Sequence, residues 1–164
     1  MTNKTVFTKD LAHNKMHVTR EFAAPLDKVW AAWTESDLLE KWWAPKPWKT
    51  ETKSYNFTEG GTWLYYMAGL LGEKHWSRFD FKTITPMQSF SQTSKFCDED
   101  GNVPEGYAGM LWNIQFFPTE TGTKVEVELY VSDSALLEKL LTMGFEGGFT
   151  MGLGNLEELL AEKN

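Results

Sequence analysis

Apolar and polar residues alternate most cleanly near Lys124: Val125, Val127, Leu129 and Val131 point one way, Lys124, Glu126 and Glu128 the other. A period of two is that of a half-buried β-strand. The same period recurs in "MLWNIQFF", with Met110, Trp112, Ile114 and Phe116 opposite Asn113 and Gln115. In "HWSRFDFKTI", His75, Ser77, Phe79 and Phe81 share a face, and in "QSFSQTSKF" Phe90, Gln92, Ser94 and Phe96 do. "NKMHVTREF" puts Met16, Val18, Arg20 and Phe22 together. "WKTETKSYNF" and the aromatic "TWLYYMAG" complete the predicted strands. Turn residues separate them in "EGG", "LLGEK", "TP", "PTETGT" and the long polar "CDEDGNVPEGYAG".

Elsewhere the period becomes helical. After Pro25, which suits a first helical turn, Leu26, Val29, Trp30 and Trp33 fall on one face. "TESDLLEKWW" predicts a second short helix, with Thr34 as cap and Asp37 three residues on. From Asp133 to Glu162 a long helical stripe runs through Leu136, Leu137, Leu140, Leu141, Phe145, Phe149, Leu153, Leu156 and Leu160. Gly144, Gly147, Gly148, Gly152 and Gly154 interrupt it. Each glycine costs a helix interior about 1 kcal/mol against alanine. Either the helix breaks near Gly147 and Gly148, or the missing side chains leave room against a sheet.

The predicted order is a strand, two short helices, a run of antiparallel strands and a long C-terminal helix. This is an α+β chain in which a curved antiparallel sheet of about six or seven strands must wrap the helix to bury its apolar stripe. A sheet curved around a glycine-bearing helix leaves an internal cavity suited to a small apolar ligand. "KWWAPKPW", from Lys41 to Trp48, concentrates aromatic surface where prolines exclude helix and central strand. It reads as a stiff aromatic lip, one wall of the cavity mouth.

Composition narrows the function classes. The 164 residues are expected to form one domain, 1–164, with 1–13 a loosely ordered or edge-strand segment, and 41% hydrophobic residues suffice for a core. A net charge of −7 without a basic stripe disfavours nucleic acid and anionic membrane surfaces. No apolar run approaches the ~20 residues of a membrane span, and "MTNKTVFTKD" lacks a signal-peptide core. A lone cysteine, Cys97, forms neither an internal disulfide nor a Cys-based zinc cluster. A cytoplasmic protein is the expectation, and a homodimer is compatible with it.

"REFAAPLDKVWAAWTESDLLEKWWAPKPW" resembles the opening of the START-like (SRPBCC, helix-grip) superfamily. The subgroup is the one named after the C-terminal domain of the activator of heat shock protein 90 ATPase. Its pattern falls on Arg20, Glu21, Phe22, Ala24, Pro25, Val29, Trp30, Ala32, Trp33, Thr34, Leu39, Trp42, Trp43 and Pro45. "EGGTWLYYM", "GEKHWSRFDFKTITP", "FCDEDGN" and "GGFTMGLGNLEELLAE" are similar to later parts of the same pattern, with Phe149 where tryptophan is commoner. The resemblance implies a helix-grip fold around a hydrophobic cavity that binds apolar small molecules, with catalysis in a minority of members and no universal catalytic residue. The co-chaperone's separate chaperone-engaging domain has no counterpart in these residues, so a chaperone partner is implied by analogy alone.

Among candidate groups, His75 is the best-placed titratable side chain: its parity matches Phe79 and Phe81, and an imidazole could orient a ligand or transfer a proton. As a strand-end residue it could instead sit at the rim, satisfied by water or backbone. Gln92 and Ser94 could orient a ligand, provided no bulge turns them outward. Trp43, Trp63, Tyr65, Trp112, Phe145, Phe149 and Met151 are candidate lining residues, or plain aromatic core. With Phe79 they complete the expected ligand-binding set. "DEDGN" fails the spacing of a calcium loop and reads as a solvated acidic turn. The glycines follow no strand as a dinucleotide fingerprint would, and His13 and His17 on one strand lack a third ligand. No cofactor, metal or catalytic residue is called for. The leading expectation is a carrier of a small hydrophobic molecule; an enzyme using the same cavity and a chaperone-regulating module are the alternatives.

Overall fold

The computed structural model describes residues 5–161, apart from residues 45, 106–108 and 133. Pro45, Asp133 and Glu162, which carry expectations above, lie outside the described residues, as does part of the polar loop.

The chain opens with β1 (Val6–Asp10), a single 3-10 turn (Leu11–His13) and β2 (Lys15–Phe22). Helices α1 (Leu26–Thr34) and α2 (Ser36–Trp42) follow. Six strands come next: β3 (Lys49–Tyr55), β4 (Thr62–Ala68), β5 (Lys74–Thr85), β6 (Ser89–Phe96), β7 (Met110–Pro118) and β8 (Thr123–Val131). Two helices close the chain, α3 (Ser134–Thr142) and α4 (Phe145–Ala161). All eight strands form one antiparallel sheet in the order β1-β2-β8-β7-β6-β5-β4-β3. This is the helix-grip arrangement, a curved sheet holding the C-terminal helix.

The alternation in the sequence becomes the inner face. Met16, Val18 and Phe22 of β2, Trp112, Ile114 and Phe116 of β7, and Val125, Val127 and Leu129 of β8 are buried. Against them α4 lays Phe149, Leu153 and Leu156. Apolar side chains removed from water on both layers give the main stabilisation, at roughly 25 cal/mol per Å². Arg20 is the charged member of this face. It donates to Glu157 of α4 at 2.8 Å and to Thr5 at 2.7 Å.

β1 pairs with β2 from Val6↔Thr19 to Asp10↔Lys15 and adds an eighth strand at the edge of the sheet. Two local expectations need correction. Thr34 does not cap α2: it ends α1, and its hydroxyl donates back to the carbonyl of Trp30 at 2.8 Å. The C-terminal helix breaks at Gly144 rather than at Gly147 and Gly148. Gly144 has φ +90°, a left-handed conformation that glycine adopts without penalty and that ends α3.

Gly152 has a different use. A Cβ there would lie 3.3 Å from the carbonyl oxygen of Trp43 and 3.4 Å from that of Trp42, so α4 approaches the end of α2 backbone to backbone. One turn on, the buried Asn155 donates its amide to the carbonyls of Trp42 (3.4 Å) and Ala44 (3.1 Å). The last carbonyls of a helix have no partner within it, so Gly152 and Asn155 together fix the tryptophan lip to α4.

Candidate ligand-binding site

Between strands β4–β7 and the start of α4 lies a cavity of about 250 Å³. Its sheet side is built by parity: Tyr65 and Met67 from β4, His75, Ser77 and Phe79 from β5, Ser94 and Phe96 from β6, Met110 and Trp112 from β7. Leu140 of α3 and Phe145, Gly148 and Phe149 of α4 form the helix side, and Trp43 closes one flank. Gly148 lines the cavity, so the missing side chain there does leave room against the sheet.

Eight of the predicted residues therefore meet around one space: Trp43, Tyr65, His75, Phe79, Ser94, Trp112, Phe145 and Phe149. Trp63 and Gln92 do not. They line a separate void of about 10 Å³, room for roughly one water, on the other side of Trp43. Gln92 stays inward because the irregularity in this pair of strands falls on β5, between Phe81 and Thr83, and leaves β6 in register with β7. Met151 is outside the site altogether. It is 47% exposed, because two residues from Phe149 and two from Leu153 is the opposite face of a 3.6-residue helix.

The lip divides by residue. Trp42 is core, its indole donating to the carbonyl of Ala32 at 2.9 Å. Trp43 is the cavity wall, with ring contacts to Trp63, Phe79, Trp112 and Phe149 at 5.5–6.1 Å. Trp48 packs edge-on against His75, ring centroids 5.2 Å apart. His75 itself is exposed, at the rim.

Besides His75 and Lys95, the polar side-chain groups lining the cavity are hydroxyls and indole N–H groups. Trp43 Nε1 donates to the Tyr65 hydroxyl at 3.0 Å, and Trp112 Nε1 donates to Ser94 Oγ at 2.8 Å. Burial pushes the Tyr65 hydroxyl up to about 12, against the opposing pull of hydrogen bonds from Trp43 and Ser77. Tyr65 is therefore a neutral O–H at any physiological pH. Among the described residues no Asp or Glu lines the cavity, and no cluster of three or more His, Cys, Asp or Glu side chains could hold a metal ion. Outside the cavity, Asp98 folds onto its own turn: backbone N–H groups of Asp100 and Asn102 donate to its Oδ1 at 2.9 Å, and these bonds hold its carboxyl below the usual range.

Met67, Ser77, Phe96, Met110, Leu140, Gly148 and Lys95 also line the cavity. Strand parity with Tyr65, Phe79, Ser94 and Trp112 points to the first four, and helix phase to Leu140 and Gly148. Lys95 has the opposite parity to Ser94 and carries no such signal.

Known proteins share this fold. None of the curated proteins compared with the chain matches it. Among solved structures, protein Ms6760 from Mycobacterium smegmatis is 25% identical, with 98% of this chain and 99% of that one covered and a TM-score of 0.88. A protein from Arthrobacter aurescens is 26% identical over 96% and 92%, with a TM-score of 0.90. Protein NE0264 from Nitrosomonas europaea is 27% identical over 91% and 95%, with a TM-score of 0.79. Among the described residues no helix is long and apolar enough to cross a membrane. The profile described as "Activator of Hsp90 ATPase homolog 1-like protein" matches residues 23–161, from the turn before α1 to the end of α4. The chain belongs to that family, and with it to the START-like superfamily.

Proposed function

We propose that this protein binds a small apolar or aromatic molecule in the cavity between β4–β7 and α4. One observation carries the reading: seven aromatic side chains and several aliphatic ones surround a space of about 250 Å³ that the protein's own residues leave open. Burial of apolar ligand surface would supply the affinity, at roughly 25 cal/mol per Å² removed from water. The rigid ring contacts around Trp43 keep the wall in place before a ligand arrives, which limits the ordering cost of binding.

Catalysis in the same cavity finds less support. His75 stands at the rim beside Trp48, and no lining carboxylate pairs with it among the described residues. A site of the nucleophile–base type needs two groups in mutual reach. A chaperone-regulating role rests on the family's description alone.

Native mass spectrometry of the freshly purified protein, compared with its denatured mass, tests the reading. The expected result is an added mass, or one acquired with an excess of acetylnaphthalene, that disappears on denaturation. A clean mass under both conditions would overturn it.

A further inference from the structure

The hydroxyls of the cavity carry more protons than their neighbours can accept. An indole N–H only donates, whereas a hydroxyl has one proton to give and lone pairs to receive. Trp43 Nε1 donates into the Tyr65 oxygen, and Ser77 is the direct cross-strand partner of Tyr65. Trp43, Tyr65 and Ser77 bring three protons to the two hydroxyl oxygens, and the indole proton already occupies one of them. Two hydroxyls can share only one proton between their oxygens, so at least one of the Tyr65 and Ser77 protons is left over. Ser94 repeats the situation: Trp112 Nε1 occupies its oxygen as donor, and the serine proton remains. Among the described residues no acceptor meets either surplus proton. Tyr65, Ser77 and Ser94 all line the cavity, on the neighbouring strands β4, β5 and β6.

An unmet donor in an apolar, partly dry space is costly, and a ligand atom that satisfies it recovers that cost. The indole bonds also polarise the hydroxyls, which strengthens the bond each can donate onward. A cationic amine would find no carboxylate in the lining, the like charge of Lys95 there, and the Tyr65 and Ser94 oxygens already engaged by indole N–H groups. We propose that the cavity selects an apolar ligand bearing a hydrogen-bond acceptor of the carbonyl type, seated on the hydroxyls of Ser77 or Tyr65 and of Ser94, and discriminates against amines.

This rests on the reading of the cavity as a ligand site, and the test separates the two. Three probes of one shape are compared by tryptophan fluorescence titration: acetylnaphthalene, isopropylnaphthalene and the naphthylethylammonium ion. Affinities of the two neutral probes are scaled by their partition from water into hexadecane, which removes the ketone's own desolvation. The ketone is expected to exceed the hydrocarbon by about tenfold or more on that scale. Its infrared carbonyl band in the complex should lie below its position in hexadecane, and the ammonium should bind weakest. Ser94→Asp at neutral pH keeps an acceptor for Trp112 and removes the surplus proton, so it should shrink the ketone's advantage. A scaled ratio near one with an unshifted carbonyl band overturns the acceptor proposal while leaving the cavity reading standing. An unchanged ratio in Ser94→Asp removes Ser94 from it. Failure of all three probes to bind overturns the cavity reading and the proposal together.

Discussion

The indole of Trp43 donates to the hydroxyl of Tyr65 at 3.0 Å, joining the loop after α2 to the second strand in from the sheet edge. The two residues are 22 positions apart, and the bond is made inside the cavity wall. A tryptophan that would otherwise bury an unpaired N–H is thereby satisfied by a group that is itself buried.

Alkaline pH should reveal the burial of the Tyr65 hydroxyl. The Tyr65 pKa is about 12 in the folded protein against an ordinary 10, and burial with the negative charge of Glu35 pushes Tyr55 up as well. Below about pH 10 both folded and unfolded states hold the phenolic proton, and stability does not depend on it. Above that, the unfolded state releases it first, so stability falls as pH rises, by up to about 1.4 kcal/mol per pH unit for each tyrosine. Urea midpoints measured from about pH 8 to about pH 11.5 should show the decline beginning near pH 10. Tyr65→Phe should flatten its share of the slope while costing about 1–3 kcal/mol at neutral pH, because Trp43 Nε1 loses its acceptor.

Asn155→Ala should destabilise the fold by about 1–3 kcal/mol, since it strands the buried carbonyls of Trp42 and Ala44. Denaturant unfolding with an unchanged slope and a lowered midpoint is the expected form. Asn155→Leu, which keeps the bulk, should be no better.

Two glycines of α4 should respond oppositely to alanine. A Cβ on Gly154 meets nothing within 4 Å, so Gly154→Ala should stabilise by about 1 kcal/mol through helix propensity. Gly152→Ala must push its methyl to 3.3 Å from a backbone carbonyl of the lip, and should gain nothing or lose stability. Thermal melts of the two variants side by side would check this.

The cavity and its rim should separate by mutation. Gly148→Leu gains helix propensity and fills space, so acetylnaphthalene affinity should fall by about tenfold or more. His75→Ala, at the exposed rim, should leave it within about threefold. Titration of both variants decides whether orientation comes from the interior or from the histidine.

Much of this fold is legible in the sequence because its strands are half-buried. Each inward residue of β2, β7 and β8 is apolar or paired, and each neighbour faces out, so parity alone recovers the face that Trp112, Phe79 and Ser94 share. What parity misses has physical causes. β1 joins the sheet through backbone bonds while its side chains stay mostly exposed, so it writes no pattern. Met151 is near Phe149 in sequence but opposite to it on the helix. Asn155 serves the backbone of a distant loop, and the same asparagine on a polar face would look identical in sequence. Gly144 and Gly148 are alike as letters; only φ at the first and the cavity beside the second tell them apart.

β1 and β3 end the strand order of the open sheet, and an edge strand can template pairing with another chain. Both margins are guarded. β1 is five residues long and carries Lys9 and Asp10; β3 reads "KTETKSY", with Lys49, Lys53 and Glu51 and a register shift between Thr52 and Ser54. Short length, charge and a bulge each discourage edge-to-edge extension. Assembly of this chain into larger species, including a pair of copies, is thereby steered away from continuous β-pairing and toward contact through side chains. The sheet can stay open enough to hold a cavity without becoming a seed for aggregation.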